Sequence, residues 1–162
     1  MVLAIAAEID WEVVQLDMKI AFFYADIEEK VFVEAAPGFE RTGKDGVQLL
    51  MKLGKGLYGM AQSPGNWWKT VDPLLITLEF VQLKSDTCIY IYRKNGIAII
   101  LTLYVDDLLL VGADIQVIES IKRKLMERFK MTDMGDVSLV LGMQVTGDRQ
   151  NKTLTISQEN YT

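Results

Sequence analysis

Two adjacent aspartates inside a long apolar run constrain this chain more than any other feature. Asp106 and Asp107 follow the apolar stretch 97–105 and precede the apolar stretch 108–111. Burying unpaired charge is costly, so the pair needs a compensating cation, and a hard divalent metal held by oxygen ligands meets that need. Neighbouring side chains of a strand point to opposite faces, so the two acids can share a site only where the chain turns. We therefore predict a hairpin with Asp106 and Asp107 at its bend.

The same two acids also fit a plain turn between buried strands, because aspartate is a common turn residue. Asp17 favours the metal interpretation. It interrupts the β-branched and apolar stretch 13–23, which predicts a strand, much as Asp106 interrupts the later one. If the two strands are neighbours in one sheet, Asp17 and Asp106 converge on the same ions, and two metals about 3.5–4 Å apart form the clamp used in phosphoryl transfer. Taken alone, Asp17 is better explained as a strand-edge residue that faces solvent.

Composition excludes several classes of chemistry. The chain has 162 residues, 50% of them hydrophobic and 24% charged, which is typical of one globular domain. It has no histidine, which excludes Ser-His-Asp and Cys-His catalysis and any His-ligated zinc site. Cys88 stands alone, so we expect no intrachain disulfide and a reducing compartment. No apolar run reaches the ~18 residues of a membrane span, so no membrane partner is expected.

Periodicity and turn signals predict helices packed on one face of an antiparallel sheet, an α+β arrangement. Helices are predicted at 3–9, from Ser63 with Pro64 in the first helical position, and after Asp114 as the N-cap. Pro73 lies inside the second helix, and we expect a break near 71–72 because a mid-helix proline costs about 3 kcal/mol or forces a kink. Strands are predicted at 13–23, 31–33, 47–50, 88–92, 97–104, 108–111, 139–145 and 154–156, with hairpin tips at 41–46 and 94–96.

Short motifs follow one another in a fixed order along almost the whole chain. They occupy 15–22, 26–33, 37–39, 52–53, 56–60, 62–64, Trp67, 85–86, 90–92, 103–108, Gly112, Asp114, 134–135, 141–143, 154–158, Tyr161 and Thr162. Each motif is weak alone, but their order and spacing resemble the reverse transcriptase domain of Ty1/copia-type LTR retrotransposons.

This resemblance implies the architecture and activity of the whole fragment. Residues 1–162 would form a single reverse transcriptase piece, with partial fingers and a polymerase palm that has a ferredoxin-like or RRM-like core, and without thumb or RNase H. The implied reaction is RNA-directed DNA synthesis with two Mg²⁺ ions, for which Mn²⁺ can substitute. The implied partners are an RNA or DNA template-primer, dNTPs, and the integrase and RNase H regions of a polyprotein, with a homodimer as a further option. The implied location is the cytoplasm, in virus-like particles, or the nucleus.

The resemblance also implies the metal ligands. Asp17 and Asp106 would bind both ions, and Asp107 would support the same cluster. The turn at Leu141 and Gly142 resembles the one that steadies the primer strand, although a glycine at a strand bend would look the same.

Three further residues match positions that contact substrate in the resembled family. Phe22 matches the residue that screens the sugar 2′ side, where a bulky ring would exclude a ribonucleotide. Gln62 matches a substrate-contacting glutamine, and Tyr104 would lie beneath the primer end. Each also fits an ordinary structural role: a buried strand aromatic, a polar loop residue and a packed strand tyrosine.

A second hypothesis is a decayed or truncated palm that persists only as a folded interaction module. The family usually has arginine where this chain has Gly65, and a basic residue where it has Ala61. The net charge of −5 is also unusual for a nucleic-acid binder, and the basic cluster at 122–130 is interpreted as a solvated helix face. We therefore expect weak template binding by this fragment alone. A third option, another metal-dependent phosphoryl enzyme such as a nucleotidyl cyclase, fits the acids but not the ordered motifs.

Overall fold

The structure, a computed structural model, describes residues 1–159 and is built from α-helices and mainly antiparallel sheets. The predicted α+β class is therefore confirmed, while Tyr161 and Thr162, which end the last motif, lie outside the described residues. The elements are α1 Val2–Ile9, β1 Glu12–Met18, β2 Phe32–Val33, β3 Met51–Lys52, α2 Ser63–Thr77, β4 Phe80–Gln82, β5 Ile89–Lys94, β6 Ile97–Tyr104, β7 Asp107–Gly112, α3 Ile115–Arg128, β8 Met131–Asp136, β9 Leu139–Val140, β10 Met143–Asp148 and β11 Thr153–Ser157.

Two compact units divide the chain. The larger unit combines Met1–Lys19 with the described residues from Asp72 onward, and the smaller one is Ile20–Val71. In the larger unit a six-stranded antiparallel sheet has the order β4-β5-β6-β7-β1-β8, and a three-stranded sheet has the order β11-β10-β9. Sequence alone predicted neither β4 nor β8. None of the helices within residues 1–159 has both the length and the apolar character needed to cross a bilayer.

The two faces of the large sheet differ in what they carry. Val14, Leu16 and Met18 alternate along β1 on one face and are buried. Gln15 and Asp17 lie on the other face. Glu12, at the start of β1, shares the first face, so Gln15 and Asp17 are the polar residues that β1 contributes to the second.

An apolar cluster covers part of this second face. Helix α1 contacts β1, β7 and β11. Leu109 belongs to the cluster and is the register partner of Gln15, which shares a face with Asp17. The cluster is therefore on the same face as Asp17. Its buried members are Ala6, Leu109, Val111, Val140 and Val145.

Helix α3 forms as predicted. The Asp114 carboxylate accepts hydrogen bonds from the Gln116 and Val117 N–H groups at 3.0 and 3.1 Å, which satisfies two donors of the first turn. The face that packs inward is apolar and buried, as the 3.6-residue spacing predicts: Ile118, Ile121 and Leu125, with Phe129 at the C-cap.

The smaller unit contains the β2–β3 pair and the first part of α2. Its predicted loop tip at 41–46 is confirmed, since Thr42 bridges to Gln48 and the Gly43 N–H donates to the Val47 carbonyl at 2.8 Å. The predicted strand at 47–50 is wrong, because the paired residues are Met51–Lys52.

Two predicted strands are wrong in extent because the backbone leaves the extended region inside them. The strand predicted at 13–23 ends at Met18, since Ile20 takes φ +62° and a 3₁₀ turn follows at Ala21–Tyr24. The strand predicted at 139–145 is split into β9 and β10, since Leu141 and Gly142 take φ +50° and +76°. The predicted turn at these two residues is thereby confirmed.

The expected break of α2 is wrong. The helix is continuous from Ser63 to Thr77 with Pro73 inside it. Both Pro73 and Lys69, whose carbonyl loses its helical donor to the proline, are exposed, so water can satisfy that carbonyl. The Thr77 hydroxyl donates to the Pro73 carbonyl at 2.8 Å. Surface position is what makes the proline tolerable.

Candidate active site

The β6–β7 hairpin presents the two adjacent aspartates at one end of the large sheet. Tyr104 pairs with Asp107, so the two-residue tip consists of Val105 and Asp106. The predicted hairpin is confirmed, with its bend one residue earlier than expected. Val105 takes φ +53°, a conformation that is a genuine outlier for a β-branched residue and costs roughly 1–2 kcal/mol. Such strain often occurs at functional sites.

Strand β1 brings Asp17 to this hairpin. Asp17 is the antiparallel register partner of Asp107, so the two side chains are on the same face of the sheet. The Met18 N–H donates to the Asp106 carbonyl at 2.8 Å, which ties the end of β1 to the tip. Like charges directly opposite each other destabilise a sheet. The strands that carry the distant aspartates are therefore neighbours in one sheet, as the sequence hypothesis required.

The neighbouring acids affect the pKa of Asp107. Burial raises the pKa of the Asp107 carboxyl, the hydrogen bond from Gln15 lowers it, and the charges of Asp17 and Asp106 raise it further. The net direction is upward. Gln15 Nε2 donates to Asp107 Oδ1 at 3.3 Å. The site is thus a half-buried concentration of negative charge on a strained turn.

These carboxylates suit a hard divalent cation by donor chemistry. Asp17, Asp106 and Asp107 supply only oxygen donors, and neutralising their mutual repulsion would relieve the raised pKa of Asp107. In the part of the chain that the structure describes, no three Asp, Glu or Cys side chains converge as a ready ligand set for a metal. The strand pairing therefore places oxygen donors suited to a divalent cation on one face of the sheet. The carboxylate side chains do not form a complete ligand set.

Tyr104 flanks this site. It is the register partner of Asp107 and lies on the same face, with 60% of its surface exposed. The alternative of a packed strand tyrosine is therefore wrong. The exposed ring of Tyr104 is therefore free to contact a molecule that binds beside the carboxylates.

Phe22 lies in the 3₁₀ turn of the smaller unit. The predicted strand placement of Phe22 is wrong, because β1 ends at Met18. The ring is buried and its centroid is 4.6 Å from that of Tyr58.

The loop that follows packs closely on the Phe22 turn. A Cβ on Gly56 would lie 3.0 Å from the Phe22 carbonyl oxygen and 2.9 Å from Ser63 Oγ, so only glycine fits without adjustment. The Gly56 N–H donates to the Ala25 carbonyl at 3.2 Å. Phe22 is held in place by its own unit.

Gln62 directly precedes α2. Its carbonyl accepts from the Asn66 N–H at 3.0 Å and its side chain is half-buried. Ser63, predicted as the N-cap, is instead the first residue of the helix, and its hydroxyl donates to the Leu57 carbonyl at 2.7 Å. Both contacts lie within the smaller unit.

Sequence reasoning missed two contributors to the site's surroundings. Gln15 had no assigned role, although alternation along β1 puts it on the Asp17 face and could have indicated it. Lys122 was assigned to a solvated helix face, which is wrong: it is 5% exposed and forms ion pairs with Glu119 and Asp133. Helical spacing could have indicated Glu119, but nothing local in the sequence points to Asp133.

Comparisons with known proteins identify the relatives of this chain. The chain is 40% identical over 161 residues to the retrovirus-related Pol polyprotein from transposon TNT 1-94 of Nicotiana tabacum, covering 99% of this chain and 12% of that protein. It is 30% and 31% identical to the Pol polyproteins from transposons RE2 and RE1 of Arabidopsis thaliana, covering 99% of this chain and 11% of each. The chain thus spans 11–12% of the length of these curated relatives.

The family comparison covers the whole chain. A model described as reverse transcriptase (RNA-dependent DNA polymerase) matches residues 1–162. This match and the transposon relatives confirm the resemblance inferred from the ordered motifs. The chain belongs to the reverse transcriptase family, as a copia-type domain of a transposon Pol polyprotein.

Proposed function

We propose that this chain is the polymerase palm with partial fingers of a copia-type reverse transcriptase, and that it catalyses RNA-directed DNA synthesis. The observation that carries the proposal is the cross-strand pair of Asp17 and Asp107, with Asp106 in the adjoining turn. An isolated sheet would avoid two facing carboxylates, because like charges opposite each other weaken it. A cation-binding site would explain the arrangement, because a bound cation neutralises the repulsion between the facing carboxylates.

In this proposal Asp17 and Asp106 hold two Mg²⁺ ions, or Mn²⁺ in their place, and Asp107 supports the cluster. When bound, the ions supply activation of the attacking oxygen and charge stabilisation at the phosphate. The chain itself contributes the positions of the ligands: β1 holds Asp17, and the Met18 N–H fixes the Asp106 backbone. Gln15 orients the Asp107 carboxylate. The reaction joins a primer 3′-hydroxyl to the α-phosphate of a dNTP, with pyrophosphate as the leaving group.

Substrate contacts are assigned to three residues. Tyr104 supports the primer end, an assignment that its exposure beside Asp107 favours. Phe22 excludes the 2′-hydroxyl of a ribonucleotide through its fixed, bulky ring. Gln62 contacts the incoming nucleotide from the segment before α2.

The relatives support the proposed partners. Because the similar proteins are Pol polyproteins of which this chain covers only 11–12%, we propose that integrase and RNase H regions flank this domain in one polyprotein. The substrates are an RNA or DNA template-primer and dNTPs. Virus-like particles in the cytoplasm are the proposed site of synthesis, and a homodimer and nuclear localisation are secondary proposals.

A second candidate function is a folded module without catalytic activity. It is favoured by Gly65 and Ala61, which remove two positive charges expected near the triphosphate, and by the open arrangement of the acidic side chains. In that case the fold persists and the metal site does not.

Metal binding separates the two candidates. Titration of the chain with Mn²⁺, followed by electron paramagnetic resonance, is expected to show a saturable site that weakens at least ~10-fold in Asp17→Asn. Asp114→Asn is the matched control, because the amide oxygen keeps the helix cap and Asp114 follows the opposite end of β7 from Asp107. No saturable site at millimolar Mn²⁺ would favour the module without activity.

Primer extension tests the reaction itself. In a chain that carries the flanking regions, Asp106→Asn is expected to abolish Mg²⁺-dependent extension of a DNA primer on an RNA template, and Asp114→Asn to leave it unchanged. Undiminished extension by Asp106→Asn refutes the assigned role.

A further inference from the structure

Strand β8 contains a bulge opposite the strand that carries Asp17. Gln15 pairs with Gly135, but the next residue of β1, Leu16, pairs with Asp133, so Met134 is an extra residue in β8. A bulge bends its strand and increases the local twist, and bulges beside functional sites re-aim side chains. This bulge shifts the register between Gln15 and Leu16, so it lies between the pairing positions of Gln15 and Asp17.

Asp133 secures the bulge through one of its oxygens. Asp133 Oδ1 accepts from the Gly135 N–H at 3.0 Å, and Gly135 takes φ +71°, a conformation that favours glycine. The other oxygen, Oδ2, forms an ion pair with Lys122 Nζ. One carboxylate therefore joins the bulge to helix α3.

Lys122 is a buried cation with two acidic partners. Its side chain is 6% exposed, and its Nζ is 2.6 Å from Glu119 Oε1 in addition to its pair with Asp133. Burial alone would lower the pKa of Lys122, but hydrogen bonds to Asp133 and Glu119 outweigh it and the pKa is raised. The lysine therefore stays charged, and a buried charge holds its partners closely because losing them leaves it uncompensated.

The bulge adjoins both residues of β1 that meet Asp107. Gln15, on one side of the step, donates to Asp107 Oδ1 at 3.3 Å. Asp17, two residues on, is the register partner of Asp107. A change in the twist of β1 at this step would turn both side chains relative to Asp107.

We propose that the ion pair between Lys122 and Asp133 is a positioning device: it fixes the β8 bulge on helix α3 and so aims Gln15 and Asp17 at Asp107. Lys122 and Asp133 are positioning residues and touch neither substrate nor metal. The inference rests on the proposed function only in so far as Asp17 and Asp107 hold a metal. The orientation of the Gln15 side chain towards Asp107 can be observed without a metal.

The test compares Lys122→Met with Lys124→Met in the whole chain. Lys124 is an exposed lysine on the same helix, so its variant controls for the loss of one charge. The first readout is the ¹⁵N–¹H signal of the Gln15 side-chain amide in metal-free buffer, assigned by its loss in Gln15→Met. The second is the Kd for Mn²⁺, measured under conditions where every variant is folded.

A second variant acts on the bulge and leaves the ion pair in place. Gly135→Ala adds a methyl group that meets no atom within 4 Å, so it strains the backbone without a clash. It keeps the inference testable if Lys122→Met does not fold.

The proposal expects the Gln15 signal to move towards that of an exposed glutamine in Lys122→Met and in Gly135→Ala. It also expects the Kd for Mn²⁺ to rise about 10-fold, as for other residues that orient metal ligands, with Lys124→Met unchanged. An unmoved Gln15 signal in the folded variants overturns the proposal and leaves the ion pair a stabilising contact only. If the unaltered chain binds no Mn²⁺, the proposed function fails, and the Gln15 signal alone decides this inference.

Discussion

At the residue scale, the unusual feature is a destabilising one. Asp107 faces Asp17 across two strands, is half-buried, and has its pKa raised by burial and by the neighbouring acids. In the absence of a cation, the folded chain is strained by this charge at neutral pH. The facing acids therefore lower the stability of the metal-free fold.

Asp107→Asn is expected to stabilise the metal-free protein at pH 7. The pKa of Asp107 is higher in the folded than in the unfolded chain, so the folded state holds the proton more tightly. Its contribution to the free energy of unfolding therefore falls as pH rises from about 3.9, the unfolded value, through the raised folded value. Removing the charge is worth a Tm increase of about 2 °C at pH 7, and this gain disappears towards pH 4.

Thermal melts in EDTA between pH 4 and 8 measure this effect. Glu127→Gln, which removes an exposed acid on α3, is the control and is expected to shift Tm little at any pH. A lower Tm for Asp107→Asn at pH 7, or a gain that does not vary with pH, would contradict the explanation.

At the element scale, helix α2 shows how surface position changes a local rule. The helix carries Pro64 in its first turn, where no helical donor is needed, and Pro73 in its interior, where the Lys69 carbonyl loses its partner. Both prolines are exposed. The helix forms despite Pro73 because its inward face, with Val71 and Leu75 fully buried, supplies the packing.

Pro73→Ala is therefore expected to stabilise the protein by roughly 1–3 kcal/mol, because it restores one hydrogen bond and removes a steric conflict. Chemical denaturation at fixed pH measures the difference. Pro64→Ala is the matched control, since the same change in the first turn restores no bond and is expected to have little effect. Equal effects of the two substitutions would show that Pro73 is not strained in place.

At the scale of the whole molecule, charge limits what the chain can bind alone. The net charge is −5, and Lys122, a member of its largest basic cluster, is engaged by two acids and does not face solvent. Phosphate contacts made by lysine and arginine supply most of the affinity of non-specific nucleic-acid binding.

We expect the isolated chain to bind an RNA–DNA primer-template with a Kd no tighter than about 1 µM at physiological salt, and more weakly as salt rises. Fluorescence anisotropy with a labelled primer-template at two salt concentrations measures this. Binding in the nanomolar range would show that this domain grips the duplex without the flanking regions.

Features coded within a few residues were predictable from the sequence. The Asn95-Gly96 turn has positive φ at both residues, the combination that this dipeptide favours, and it sets the β5–β6 hairpin. Asp114 and the apolar spacing after it determine α3. The acids within apolar runs indicated the candidate site, because a buried charge needs a partner.

Features that depend on distant partners were decided by the tertiary structure. Strand β1 ends at Met18 because Ile20 takes a positive φ and because the N–H groups of Met18 and Lys19 donate to the carbonyls of Asp106 and Lys130. No local sequence pattern encodes these contacts. Lys122 looks like any surface lysine until β8 brings Asp133 against it.

The sequence by itself thus determined which residues carry charge into an apolar sheet and which segments turn, cap and alternate, since these depend on neighbours along the chain. Only the tertiary structure decided that Asp17 faces Asp107, that Gln15 bonds to it and that a bulge lies beside them. Strand pairing and register join residues about 90 positions apart, and their free energy comes from contacts that exist only once the sheet has formed.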